Sequence, residues 1–101
     1  METLKNKIIE QLYEVYDPEI PVNIYDLGLI YDITIKENND VFVTMTLTAP
    51  ACPVAGEIVM DVTRKISELE EVNEVHVDLT FEPKWTMDMM SEEAKLELDF
   101  L

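Results

Sequence analysis

The chain has 101 residues, 48% of them hydrophobic, and carries a formal net charge of −15 from 22 acidic against 7 basic side chains. That size suits one domain of roughly 100 to 150 residues, so residues 1–101 are read as a single unit with one core, and the apolar fraction excludes disorder. The acidity excludes nucleic acid, whose phosphates need clustered Lys and Arg, and an anionic membrane surface; no run approaches the roughly 18 apolar residues of a membrane span.

Leu4, Ile8, Leu12 and Val15 recur at spacings of four, four and three, which predicts a helix from Thr3, its N-cap, to about Tyr16. It should stop before Asp17-Pro18, because proline pushes the preceding residue out of the helical region. Pro18 and Pro21 then force an extended connection toward Gly28, which supplies an unusual backbone angle or close packing.

From Leu29 the period becomes two, with Leu29, Tyr31, Ile33 and Ile35 on one side and Ile30, Asp32, Thr34 and Lys36 on the other. Asn38-Asn39-Asp40 has turn chemistry. Beyond it Val41, Val43, Met45 and Leu47 alternate with Phe42, Thr44, Thr46 and Thr48, predicting a hairpin.

Ala55, Ile58, Val62, Ile66 and Leu69 then mark a second amphipathic helix over residues 54–69. A third strand follows from Val75 to Phe81, with Val75, Val77, Leu79 and Phe81 inward and His76, Asp78 and Thr80 outward. After an irregular segment from Glu82 to Met90, Ser91 is the expected N-cap of a short last helix. Each strand has one apolar face, so both long helices should cover the same side of a small mixed sheet and leave the threonine-rich side open. The expected fold class is thus a two-layer α+β sandwich in the order α-β-β-α-β, with a short C-terminal helix.

Cys52 is the one cysteine, so no internal disulfide can form. With no basic stretch and apolar run at the N-terminus, the expected compartment is the cytoplasm. Pro53 fits the first position of the second helix, which makes Cys52 its expected N-cap. A thiol there, ordinarily at a pKa of about 8.5, would be acidified by the helix terminus and an amide hydrogen bond, and nearby carboxylates would oppose that. The alternative is a small buried hydrophobe.

Asp17, near Glu19 and Asp26 in the loop before the first strand, is either a hard oxygen ligand or proton acceptor, or a group that ends the first helix and organises a turn. His76, the only histidine, is read as a solvated surface residue near Asp78 rather than a metal ligand. Trp85, Met87, Met89 and Met90 either clamp their loop over the sheet or form an exposed recognition surface. Zinc-protease, phosphate-loop and serine-elbow patterns are absent from the sequence.

Asp17-Pro18-Glu19 with Asp26-Leu27-Gly28-Leu29-Ile30-Tyr31, then Thr48 through Pro53, then Glu82 through Thr86, together resemble the SufT and PaaD-like family of iron-sulfur cluster assembly proteins. Lys84 departs from the pattern, since members often carry a second proline before the tryptophan. The resemblance implies a non-enzymatic accessory role in iron-sulfur protein maturation, as a transient carrier of a cluster or iron or as a targeting factor. Asp17 and Cys52 match the family's acidic and thiol positions, candidates for shared or transient ligation. Glu19, Asp26, Gly28, Thr48, Pro53 and Trp85 shape the site.

The implied partners are iron-sulfur assembly proteins and apo client proteins. A cluster usually takes four protein ligands, so one thiol per chain implies no permanently bound cofactor. A homodimer, a partner or an external thiol must complete any ligand set. Other readings are a PaaD-type accessory protein of a multicomponent oxygenase and a non-catalytic protein-interaction module. An RNA-binding KH module has a similar element order but needs a Gly-x-x-Gly loop, whereas Gly28 and Gly56 stand far apart.

Overall fold

The structure, a computed structural model, describes residues 3–17, 22–47 and 55–97. Helix α1 spans Leu4–Leu12, and Thr3 caps it as expected, its Oγ1 accepting from the Asn6 amide at 3.1 Å. The helix ends short of Tyr16. The Glu14 and Val15 amides reach back only to Gln11 at 3.1 Å and Leu12 at 3.2 Å, a tightened last turn. Tyr16 instead makes an antiparallel bridge with Asn23, and the Val15 carbonyl accepts from Ile24 at 2.8 Å. Pairing with residues 22–24 thus displaces the helix while Val15 stays buried.

Strands β1 (Ile30–Ile35) and β2 (Val41–Met45) form the expected antiparallel hairpin. Its turn is closed by Lys36 donating to the Asp40 carbonyl and Asn39 to the Lys36 carbonyl, both at 2.9 Å. Asn39 has φ 66°, a left-handed conformation that asparagine tolerates. Strand β3 (Val75–Leu79) pairs in parallel with the other edge of β2, so the sheet order is β1-β2-β3. A parallel pair requires a crossover, supplied by α2 (Ala55–Ser67).

Ile8 and Leu12 of α1 and Ile58, Val62 and Ile66 of α2 pack on Val41, Val43 and Met45, all nearly inaccessible. Both long helices therefore lie on one face of the sheet, and each fully buried aliphatic contributes about 1.5–3 kcal/mol. On the opposite face His76 stacks on Phe42, ring centroids 4.6 Å apart at 13°. Its nearest acidic partner is Glu74, at 3.5 Å, rather than Asp78.

Three expectations about facing are corrected. A bulge between Ile30 and Asp32 places Ile30, not Tyr31, opposite Met45, so Ile30 joins the core face and Tyr31 leaves it. Leu79 keeps its register opposite Met45, yet Leu79 and Phe81 are 40% and 39% exposed. They lie at and beyond the end of an edge strand whose packed residues are Val75 and Val77. Thr46, expected on the open face, is fully buried.

The segment after Phe81 contains a 3-10 turn at Met87–Met89 and leads into α3 (Glu92–Glu97). Ser91 caps α3 as expected, its Oγ accepting from the Ala94 amide at 3.1 Å. Among the described residues no helix is long and apolar enough to cross a membrane.

Candidate functional site

The loop from α1 to β1 is built around a single helical turn that Asn23 starts and Gly28 ends. The Asn23 side chain accepts from the Asp26 amide through Oδ1 and donates to Asp26 Oδ2 through Nδ2, each at 2.8 Å. This is the work of an N-cap, with the fourth residue answering it. At the other end Gly28 has φ 82°. Its amide donates to Tyr25 at 3.0 Å and the Leu29 amide to Ile24 at 3.1 Å, the two bonds of a Schellman ending. A Cβ on Gly28 would also collide with the Met89 carbonyl, so both roles foreseen for this glycine hold.

Two carbonyls of the turn remain, and the C-terminal segment satisfies both. Ser91 donates its amide to Asp26 at 2.7 Å, and the Trp85 indole donates to Leu27 at 2.6 Å. Trp85 is half-buried on the core and Met90 is buried, so these residues clamp the loop, while Met87 is 54% exposed. The Tyr31 hydroxyl, turned away from the core by the bulge, donates to the Pro83 carbonyl at 2.6 Å. Asn23, Tyr31 and Ser91 thus shape this end of the molecule together with the expected Asp26, Gly28 and Trp85. The signal for Asn23 was its spacing of three from Asp26; Tyr31 required knowledge of the bulge.

Asp17 is buried, and its amide faces the Val22 carbonyl at 3.4 Å. Three backbone bonds tie this strand-like pair to the hairpin: Ile24 to Val15 at 2.8 Å, Leu29 to Ile24 at 3.1 Å and Thr46 to Leu29 at 2.8 Å. The chain leading into Asp17 is thereby tied, through Val15, to the exit of β2. Glu19, Thr48, Cys52 and Pro53 lie outside the described residues. Asp17 and Val22 flank residues 18–21, and Leu47 and Ala55 flank residues 48–54.

Thr46 was not foreseen as part of this region. Its Oγ1 is the one buried side-chain polar atom among the described residues that lacks a hydrogen-bond partner. A hydroxyl left unpaired in this way costs about 1–3 kcal/mol. The local electrostatics are acidic. Burial first, and then the Asp26 carboxylate, Tyr25 and Glu93, hold the Tyr13 phenol above its ordinary value of 10.0, so Tyr13 stays neutral near pH 7.

The sequence profile of a family described as iron-sulfur cluster assembly protein matches residues 5–78. An Fe-S protein maturation auxiliary factor of Porphyromonas gingivalis is 58% identical over 94 residues, covering 93% of this chain and 90% of that one. An iron-sulfur cluster carrier protein of Mycobacterium leprae is 33% identical over 95 residues, which are 94% of this chain and 23% of that longer protein. The crystal structure of a domain of unknown function from Bacillus anthracis superposes with a TM-score of 0.91 at 42% identity, covering 97% of this chain and 93% of that one.

Proposed function

The chain belongs to the iron-sulfur cluster assembly protein family, and on that premise we propose that it is an accessory factor in iron-sulfur protein maturation, a transient carrier of a cluster or iron that works through the Cys52 thiol. Its partners are the assembly machinery that loads it and the apo proteins that receive the cargo. The cluster is cargo here rather than a resident cofactor. One thiol cannot supply the four ligands that clusters usually take, so an external thiol, a second copy or a partner completes the set and release stays easy.

The observation that carries this reading is the run of backbone bonds from Val15 through Ile24 and Leu29 to Thr46. It fixes the neighbourhood of Asp17 against the end of β2, from which the chain continues to Cys52 six positions after Thr46. The arrangement supports a shared site in which the Asp17 carboxylate assists the thiol. A bare carboxylate beside a thiol would hinder its ionisation, whereas a bound cation satisfies both. Asp17 is thus suited to act with cargo present.

An accessory role is favoured over a thiol hydrolase or transferase by the relatives, which are described as a maturation auxiliary factor and a cluster carrier.

Anaerobic reconstitution with iron, sulfide and a small thiol tests the proposal. Bound iron and sulfide should appear on the intact chain and be absent from folded Cys52→Ser. Equal loading of the two proteins would remove the thiol from the carrier role.

A further inference from the structure

At the opposite end of the sheet, ligand atoms of Asp40, Glu74 and His76 all lie within 4.8 Å of one another. We propose that these three side chains form a binding site for a divalent first-row transition-metal ion of the zinc type. The site lies at the other end of β2 from its exit: Asp40 stands at the hairpin turn, and six residues of chain, about 20 Å at strand spacing, separate it from Thr46.

The donor set decides the class of ion. One imidazole and two carboxylates suit a borderline ion such as zinc, whereas calcium and magnesium take oxygen ligands. Three protein ligands leave further coordination positions for water. Neither carboxylate needs to move far, since His76 Nε2 and Glu74 Oε2 are already 3.5 Å apart and the ligand atom of Asp40 lies within 4.8 Å of both residues' ligand atoms.

The scaffold is ordered before any ion arrives. His76 stacks on Phe42, which fixes the plane of its imidazole. The backbone holds the two halves together through Val41 donating to Glu74 at 2.7 Å and Asn73 donating to Asn39 at 2.9 Å. Asn73 and Asn38 donate to Asp40 Oδ1 and Oδ2 at 2.8 and 3.0 Å, and each oxygen retains a lone pair for a metal. Carboxylate ligands oriented by neighbouring amides in this way bind more tightly than free ones. The location also concentrates cations, because the chain carries a net charge of −15.

The test uses the full chain carrying Cys52→Ser, so that no thiol competes for the ion. Titration calorimetry with Zn2+ should show one ion per chain, with affinity reduced about tenfold or more by adding His76→Gln or Asp40→Asn. Absence of zinc binding, or binding unchanged by both substitutions, overturns the proposal. The second measurement needs no substitution. His76 is the only histidine, so adding Co2+ should shift or broaden its unique imidazole NMR signals, and signals unmoved at saturating Co2+ reject the site.

Discussion

The amide of Thr46 donates to the carbonyl of Leu29 at 2.8 Å, while the hydroxyl of the same Thr46, fully buried, meets no partner. The backbone half of the residue stitches the exit of β2 to the start of β1, and the side-chain half is a cost. Thr46→Val keeps the shape and removes the orphaned oxygen, so it should leave stability unchanged or raise it by up to about 1 kcal/mol. Urea denaturation checks this. A loss of more than 1 kcal/mol would show that the hydroxyl has a partner in solution.

The two glycines should respond oppositely to alanine. Gly28 has φ 82° and its Cβ would strike the Met89 carbonyl, so Gly28→Ala should cost roughly 2–4 kcal/mol. Gly56 lies in α2 with open space around it, and Gly56→Ala should stabilise by about 0.5 kcal/mol. The midpoints of two denaturation curves, compared with the parent chain, measure both.

Trp85→Phe retains most of the apolar contact and deletes the indole donor to Leu27. The carbonyl of buried Leu27, left without this donor, should cost about 1–3 kcal/mol. Amide hydrogen exchange should localise that loss to residues 23–29, with faster exchange at Gly28 and Leu29 than in the β2 core.

The exposed pair Lys7–Glu71, at 2.6 Å, carries a pH signature. The hydrogen bond from Lys7 holds the Glu71 carboxyl below its ordinary value of 4.5. A depressed folded-state value means the contribution is complete above the unfolded value and disappears as pH falls through the lowered one. Glu71→Gln should therefore narrow the stability gap between the two proteins on acidification below pH 4.5. Added salt should shrink the same gap at neutral pH, as expected for a surface pair.

Much of this architecture is legible in sequence because each signal is local. Thr3 and Ser91 are caps whose partners sit three residues away, and the stripe Ile58, Val62, Ile66 needs only helical periodicity. The failures involve distant chain. Alternation alone assigns Tyr31 to the core, and only pairing with β2 reveals the bulge that exchanges it for Ile30. Periodicity carries α1 past Leu12 because Val15 is buried, yet at Val15 the chain pairs with Ile24 instead of making another helical turn. Within the candidate site, Asp26, Gly28 and Trp85 were visible as a motif, whereas the fact that Trp85 and Ser91 complete one turn's carbonyls depends on contacts across more than fifty residues.

In the proposed shared site Asp17 is subordinate to Cys52. Asp17→Asn keeps size and hydrogen-bonding capacity but removes charge, so it should weaken the support of client enzymes without unfolding the chain. A partial defect with an unchanged circular dichroism spectrum is the expected result. A folded variant with full activity would confine Asp17 to organising its turn.

The most direct test of the carrier reading is the activity of iron-sulfur enzymes in a strain deleted for this gene and complemented with Cys52→Ser, with circular dichroism of the purified variant as the folding control. A carrier that works through this thiol requires that the folded variant fail to restore activity, as if no copy had been supplied. Full restoration by folded Cys52→Ser would contradict it.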